Sequence, residues 1–193
     1  KYSKGKEIHI STYGFCLPNK GLIELINAKK IIRNRNYNVK LTLYCALYPS
    51  ELSIQLSQEL QTLITQLGLD SIVILNHSFV SHKETLLSLS KTDLVVFPYQ
   101  SSNESASGAV RQGIASGTPV AVTPSSIFDD VAEVVHRLPG FTSQDIADGI
   151  IFLLDNNSIN SSDKKIKEWI DLHKFSKLSR RLIGLIRSLE INS

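Results

Sequence analysis

The chain has 193 residues, of which 42% are apolar and 20% are charged, so it can bury one good-sized hydrophobic core. Its formal net charge of +3 is too small to imply a whole-molecule attraction to nucleic acid, and we expect no nucleic-acid partner. No apolar stretch reaches the roughly 18 residues needed to cross a bilayer, and no signal peptide is visible.

The cysteine and histidine content argues against a metal centre. Cys16 and Cys45 lack metal-ligand spacing, and none of the five histidines lies in a ligand pattern, so we expect no metal and no cofactor. Free thiols indicate an intracellular, cytoplasmic protein. The chain begins at Lys1 and contains no methionine, which indicates a piece of a longer protein.

Short β-rich runs alternate with helical patterns along the chain. Strands are predicted at residues 7–12, 39–45, 71–75, 94–97, 119–122 and, more weakly, 134–138. Helices are predicted at residues 21–33, 50–67, 81–89, 108–115, about 142–154, 166–172 and 178–189. An Asn/Ser-rich linker at 156–162 separates a first domain, residues 1–155, from C-terminal helices, residues 156–193, that we expect to pack on it.

Alternating strands and helices predict an α/β fold, a Rossmann-like parallel sheet with helices on both faces, because parallel neighbours need crossover connections. Ligands of such sheets bind outside the carboxyl ends of the strands, where the strand order reverses. Two loops are therefore expected to carry the chemistry. They follow the first and the fourth strand and comprise residues 13–20 and 99–108.

The second of these loops has the composition of an anion site. The small residues Ser105, Ala106, Ser107 and Gly108 lead directly into a helix, whose first N–H groups lack intrahelical partners and carry a partial positive charge. A phosphate group is a natural ligand there. The alternative is that the serines only cap the helix, which needs one of them.

Two charged residues flank this helix start. The carboxylate of Glu104 would repel a bound phosphate, so it does not serve the anion itself. It can accept hydrogen bonds from the hydroxyl groups of a sugar beside the phosphate. Arg111, one turn into the helix, could bind a phosphate with two parallel hydrogen bonds, or it could be a surface arginine.

The loop resembles the signature of the retaining GT-B glycosyltransferases of family 4, the glycosyl transferases group 1. In that signature an acidic residue and, after seven residues, a second Glu precede a run of small residues that ends in Gly-Thr-Pro-Val. Here Glu104 is the first acid, Gln112 takes the position of the second, and residues 117–120 close the motif. The resemblance implies that Glu104 contacts the donor sugar and Gln112 the ribose, the latter more weakly than a carboxylate would.

The first loop is similar to the same family. Residues 14–21 (GFCLPNKG) resemble its turn ending in Lys-Gly, which implies that Lys20 pairs with the donor diphosphate and that Gly14 lies beside it. Lys20 would stabilise the charge that develops on the leaving group. Phe15 stands where the family usually has an arginine, and we expect Arg111 to replace that cation.

The resemblance covers about residues 7–154 and identifies them as the C-terminal, nucleotide-sugar-binding domain of such an enzyme. It implies retaining transfer from a UDP- or GDP-sugar to an acceptor, in bacterial polysaccharide or glycan assembly. The acceptor site and a catalytic histidine would belong to an N-terminal lobe, so the isolated domain would be inactive. The alternatives are a non-catalytic sugar-nucleotide-binding or scaffold subunit and a GT-B-like epimerase.

Basic residues are concentrated at the C-terminal end. Between residues 164 and 187 the chain carries eight lysines and arginines against Glu168 and Asp171. This surface is a solvated helix face, or it contacts the N-terminal lobe, or it binds anionic lipid head groups at the inner face of a membrane.

Overall fold

A six-stranded parallel sheet organises the first of two compact units, Lys1–Ser161 and Ser162–Ser193, into which the chain divides. The structure is a computed structural model that describes residues 6–101, 104–159 and 164–191. Its strands are β1 (Ile8–Phe15), β2 (Val39–Ala46), β3 (Val73–Asn76), β4 (Leu94–Phe97), β5 (Val120–Val122) and β6 (His136–Arg137). Its helices are α1 (Leu22–Asn34), α2 (Glu51–Gln66), α3 (His82–Leu89), α4 (Gly108–Ala115), α5 (Ser143–Asp155), α6 (Lys164–Leu172) and α7 (Phe175–Ile191).

The strand order is β3-β2-β1-β4-β5-β6, and every neighbouring pair is parallel. This order confirms the predicted Rossmann-like α/β fold. The direction of strand addition reverses at β1, which lies between β2 and β4. The loops that follow β1 and β4 therefore emerge side by side at the carboxyl edge of the sheet, where ligands of such sheets bind.

Local sequence signals explain why these elements form where they do. All four residues of β4 are buried, as expected for a short apolar strand covered on both faces. Ser81 and Glu84 form a reciprocal capping box at the start of α3, and Thr142 and Asp145 form a second one at α5. Each box lies within three residues along the chain, so its sequence alone reveals it.

The first strand extends further than its sequence predicts. It continues through Phe15, because Gly14 pairs with Cys45 and Phe15 with Ala46 of β2. The first of the two predicted ligand loops accordingly starts after Phe15, and residues 13–15 belong to the sheet. The pairing partner lies about thirty residues away along the chain, so local composition does not show it.

A 3₁₀ helix, Ser126–Val134, lies between β5 and β6 and was not predicted. It buries Ile127, Phe128 and Val131. Its apolar residues contribute to the core, and its exposed Asp130 lies beside α4.

Lys29 is a buried cation within an apolar part of the core. It lies on α1, which packs against α5, and its side chain is 2% exposed. Its Nζ has no hydrogen-bond partner among the described residues. Its surroundings are the side chains of Ile10, Leu25, Ile32, Val39, Leu41 and Ile150. Desolvation, with a smaller contribution from Arg33, lowers the pKa of Lys29 to about 8.

Replacing Lys29 with methionine is expected to stabilise the protein by about 2–3 kcal/mol at pH 7, because the desolvated ammonium group is removed and the apolar stem is kept. Between pH about 8 and the ordinary lysine value of 10.5, the unfolded chain binds a proton that the folded chain does not. The stability of the unmodified protein therefore rises through that window, and the advantage of Lys29→Met shrinks.

Urea unfolding at pH 7 and pH 10 measures this difference. Lys91→Met is the matched control, since Lys91 is exposed and should change stability little. Equal free energies of unfolding for the unmodified protein and Lys29→Met at pH 7 would contradict the prediction.

The second unit consists of α6 and α7. The lysines and arginines of α7 are Lys177, Arg180, Arg181 and Arg187, and its apolar residues Leu178, Leu182, Leu185 and Leu189 recur at helical spacing. Asp171 of α6 pairs with Lys174 and Lys177. No helix in the described ranges is long and apolar enough to traverse a lipid bilayer. The packing of residues 156–193 on the first domain stays a prediction.

Candidate functional site

A cleft with a volume of about 360 Å³ opens at the carboxyl edge of the sheet, within the size range of small-molecule sites. Its walls come from the ends of β1, β2 and β3, from α3, from the loop after β4 and from the start of α4. The lining residues are Tyr13, Gly14, Phe15, Leu17, Lys20, Tyr44, Ala46, Asn76, Ser78, Phe79, Val80, Thr85, Ser88, Leu89, Tyr99, Glu104, Ser107, Gly108, Ala109 and Gln112.

Backbone contacts hold the two predicted loops together. The N–H of Gln100 donates to the carbonyl of Asn19 over 2.9 Å. Gly21 has a φ of +69°, and a Cβ built on it would lie 1.8 Å from the carbonyl oxygen of Pro98. A residue with a side chain does not fit there, so the turn after β1 can reach the end of β4 only with glycine at this position.

Lys20 and Glu104 meet at the mouth of the cleft. The ammonium nitrogen of Lys20 lies 3.6 Å from Oε2 of Glu104 and 4.1 Å from the centre of the Tyr99 ring. Lys20 is thus held between a carboxylate and the negative face of an aromatic ring, and its side chain is only 19% exposed. The Glu104 side chain is 62% exposed, so solvent weakens this ion pair and a ligand can separate it at small cost.

Tyr99 connects the cation to the first turn of α4. Its ring is buried, and its hydroxyl lies 3.4 Å from Oγ of Ser107. Burial raises the pKa of Tyr99, the Ser107 hydrogen bond lowers it, and the charge of Glu104 raises it. The phenol therefore stays neutral at physiological pH and presents an uncharged ring to Lys20.

The start of α4 is open to the cleft. Ser107 is the N-cap residue, and its hydroxyl accepts from the N–H of Val110. Gly108 and Ala109 line the cleft, and their N–H groups occupy the helix positions that have no intrahelical acceptor. Nothing lies within 4 Å of a Cβ built on Gly108. Ser105 and Ala106 are exposed and lie outside the lining.

Arg111 lies outside the lining of the cleft and pairs with the 3₁₀ helix. Its guanidinium donates to the carbonyl of Ser107 and to the carboxylate of Asp130, and it does not line the cleft. A phosphate contact would require Arg111 to leave Asp130. Its role as the replacement cation stays a prediction.

Gln112 does line the cleft and carries an unsatisfied acceptor. Its Oε1 is buried and receives no hydrogen bond from any residue that the structure describes. A buried amide oxygen without a donor is unfavourable. A ligand hydroxyl could satisfy it only after the Gln112 side chain rotates, because Oε1 itself is not exposed to the cleft.

A family model described as "Glycosyl transferases group 1" matches residues 2–177 of the chain. The chain belongs to this family. The roles that its motifs assign to Lys20, Glu104 and Gln112 stay predictions. Assignment to the retaining family 4 stays a prediction. The sequence matches no curated protein at a significant level.

Solved structures similar to this group 1 glycosyltransferase domain show the same fold. The C-terminal domain of the group 1 protein LpcC from Francisella tularensis aligns with a TM-score of 0.65 and 20% identity, over 79% of this chain and 77% of that one. Sucrose-phosphate synthase from Thermosynechococcus elongatus aligns with a TM-score of 0.80 and 17% identity, over 97% of this chain and 47% of that one. Anabaena HepE, in complex with UDP and glucose, aligns with a TM-score of 0.75 and 18% identity, over 96% of this chain and 49% of that one. The chain spans about half the length of the last two.

Sequence reasoning missed two aromatic residues of this glycosyltransferase domain. Tyr48 and Phe79 follow β2 and β3, and both contact Phe15, which lines the cleft together with Gly14 and Phe79. The sequence could have indicated them, because each aromatic residue follows a predicted strand by a few residues and therefore lies at the edge of the sheet where ligands bind. Motif comparison pointed only to the loops after β1 and β4.

Gly21→Ala is expected to destabilise the domain by about 3 kcal/mol, since it combines an unfavourable positive φ with a steric overlap against Pro98. Gly68→Ala is the matched control, because Gly68 also has a positive φ, of +62°, but nothing lies within 4 Å of its built Cβ. It should cost about 1 kcal/mol. Urea unfolding of both variants gives the comparison, and equal losses would show that the contact with Pro98 is unimportant.

Proposed function

We propose that this domain binds the nucleotide-diphosphate sugar from which the enzyme transfers a sugar to an acceptor with retention of configuration. The observation that carries the proposal is the meeting of Lys20 and Glu104, 3.6 Å apart, beside the open start of α4. A cation and unpaired helix N–H groups suit a diphosphate, and a neighbouring carboxylate suits sugar hydroxyls.

Each residue has a separate task in this scheme. Lys20 and the N–H groups of Gly108 and Ala109 bind the diphosphate and stabilise the negative charge that grows on it as the sugar leaves. Glu104 turns from Lys20 to accept hydrogen bonds from the donor sugar. Gln112 rotates to bring its buried Oε1 into the cleft, where it accepts from a ribose hydroxyl, and Arg111 joins the phosphate if it releases Asp130. The scheme requires neither a metal ion nor a cofactor.

The rest of the reaction is proposed to need a second lobe. The chain spans about half the length of several similar structures, and we infer that an N-terminal lobe supplies the acceptor site and a catalytic histidine. The isolated domain would then bind the donor without transferring it. The donor would be a UDP- or GDP-sugar, and the UDP in the HepE structure supports the first. The product would belong to bacterial polysaccharide or glycan assembly.

We also propose a location for the enzyme. It would act in the cytoplasm, where sugar nucleotides are available to it. The basic side chains of α7 would face the second lobe or the anionic inner surface of a membrane.

Two departures from the pattern of the family favour a second candidate function, that of a non-catalytic subunit that binds a sugar nucleotide. Phe15 supplies no charge to the diphosphate, and Arg111 is neutralised by Asp130. Transfer assays on the full-length protein separate the candidates, because only the enzyme releases nucleoside diphosphate when donor and acceptor are both present.

Calorimetry with UDP, GDP and ADP, and with the corresponding nucleotide sugars, tests the donor site. Lys20→Ala should weaken binding of all of them by about 10- to 100-fold, because a charge-assisted contact to the diphosphate is lost. Glu104→Gln should leave nucleoside diphosphate binding equal or tighter, since a repelling carboxylate is removed, and should weaken nucleotide-sugar binding.

Lys6→Ala is the control for Lys20→Ala. Lys6 pairs with Asp93 over 3.4 Å at the amino end of the strands, away from the cleft, so its loss should not alter nucleotide affinity. Unchanged binding of every nucleotide and nucleotide sugar to both Lys20→Ala and Glu104→Gln would rule out this donor site.

Gln112→Leu should separate stability from binding. Removing a buried, unsatisfied acceptor is expected to leave the free energy of unfolding unchanged or to raise it by about 1 kcal/mol. Affinity for UDP should fall by about 5- to 10-fold, because the ribose loses an acceptor. Urea unfolding and calorimetry on the same preparation measure both effects. A loss of stability without a loss of affinity would contradict the assigned role.

A further inference from the structure

The ammonium group of Lys20 has two neighbours that differ in how firmly the fold holds them. The carboxylate of Glu104, 3.6 Å away, belongs to a side chain that is 62% exposed. The ring of Tyr99, whose centre is 4.1 Å away, belongs to a residue that is only 3% exposed. An anionic ligand can draw Lys20 away from Glu104 through solvent, but the Tyr99 ring cannot move unless the core opens.

The Tyr99 ring is held by contacts from four separate elements. The hydroxyl of Thr123, just after β5, donates to the Tyr99 carbonyl over 2.6 Å. The ring of Phe97 on β4 meets the Tyr99 ring edge-on, at 82° and 6.1 Å between centres, and Phe128 of the 3₁₀ helix lies 5.2 Å from it. The Tyr99 hydroxyl lies 3.4 Å from Oγ of Ser107, the N-cap residue of α4. The ring is therefore a fixed surface before any ligand binds.

This fixed ring spans from the cation to the helix start at which the diphosphate is proposed to bind. Lys20 lies on its face, and its hydroxyl reaches Ser107, which directly precedes the open N–H groups of Gly108 and Ala109. A lysine side chain normally loses much conformational entropy when it pairs with an anion. Attraction to an aromatic face restricts Lys20 beforehand, so less entropy is lost when the ligand arrives.

We propose that Tyr99 is the positioning residue for Lys20, and that its ring keeps the ammonium group beside the start of α4 when the ligand displaces Glu104. This inference rests on the proposed function, since it presumes a diphosphate in the cleft. Tyr99 acts through Lys20 and not by contact with the ligand. The cation exchanges one anionic partner, the carboxylate, for another, the diphosphate, and stays on the ring throughout.

NMR spectroscopy of the domain, with and without pyrophosphate or UDP, tests the proposal without any change at Tyr99. Protons above an aromatic face are shielded, so the ε-methylene resonances of Lys20 should lie upfield of ordinary lysine values. Their loss in Lys20→Ala identifies them. They should stay upfield when the domain is saturated with either ligand. A shift to ordinary lysine values on binding means that Lys20 leaves the ring, and it overturns the proposal.

Calorimetry with pyrophosphate and UDP measures what the ring contributes to binding. Tyr99→Leu removes the aromatic face and should weaken both ligands by about fivefold, whereas Tyr99→Phe keeps the face and should bind within about twofold of the unmodified domain. In a Lys20→Ala background, Tyr99→Leu should cause no further loss, because both substitutions remove the action of the same cation.

Phe97→Leu is the matched control. Phe97 is fully buried and packs against Tyr99, but it does not line the cleft, so its replacement should leave affinity unchanged. Equal losses in Tyr99→Leu and Phe97→Leu, or additive losses when Tyr99→Leu and Lys20→Ala are combined, assign Tyr99 a packing role only and overturn the proposal, with the donor site intact.

Urea unfolding verifies that each variant is folded. If Tyr99→Leu does not fold, the Lys20 resonances of the unmodified domain decide the proposal. Failure of the unmodified domain to bind either pyrophosphate or UDP overturns both this proposal and the proposed function.

Discussion

The close approach of the turn after β1 to the end of β4 is the constraint on which the rest of the site depends. Gly21 lies against the carbonyl of Pro98, and Gln100 donates to Asn19 across the same gap. Two loops separated by about eighty residues are thereby fixed to each other through backbone atoms. Lys20, one residue before Gly21, is placed over the ring of Tyr99, one residue after Pro98. The main chain thus sets the position of the Lys20 backbone, and the Tyr99 ring and Glu104 hold its ammonium group.

The charges that line the cleft are nearly balanced. Lys20 faces Glu104, and Arg111, which could add a second cation, is held by Asp130 outside the lining. Because Glu104 is largely exposed, its pair with Lys20 is weak and exchangeable. The side chain of Gln112 is not fully hydrogen-bonded, because its buried Oε1 has no donor among the described residues. The cleft thus combines a loose ion pair with an unsatisfied amide, two features to which a polyhydroxylated anion is suited.

The contrast with Lys29 shows how differently the fold treats two lysines of neighbouring segments. Lys20 has a carboxylate and an aromatic face within about 4 Å, whereas Lys29 is enclosed by apolar side chains and has a lowered pKa. Lys29 lies at the contact between α1 and α5, on the covered face of the helix that leads away from the site. Its burial is a cost to stability and provides no group to the cleft. Strong burial of a charge is therefore not by itself a sign of function in this domain.

The sequence by itself determined the features that depend on near neighbours along the chain: the alternation of strands and helices, the capping boxes at Ser81 and Thr142, and the start of α4 at Gly108. Its motifs also singled out Lys20 and Glu104. Only the tertiary structure decided the length of β1, the pairing of Arg111 with Asp130, the burial of Lys29 and the assembly of Phe15, Tyr48 and Phe79. The physical reason is the separation along the chain of the residues that interact. A cap or a helical face is set by interactions within a few residues, while these contacts join side chains from separate βα units, and the strand order determines which of those units become neighbours.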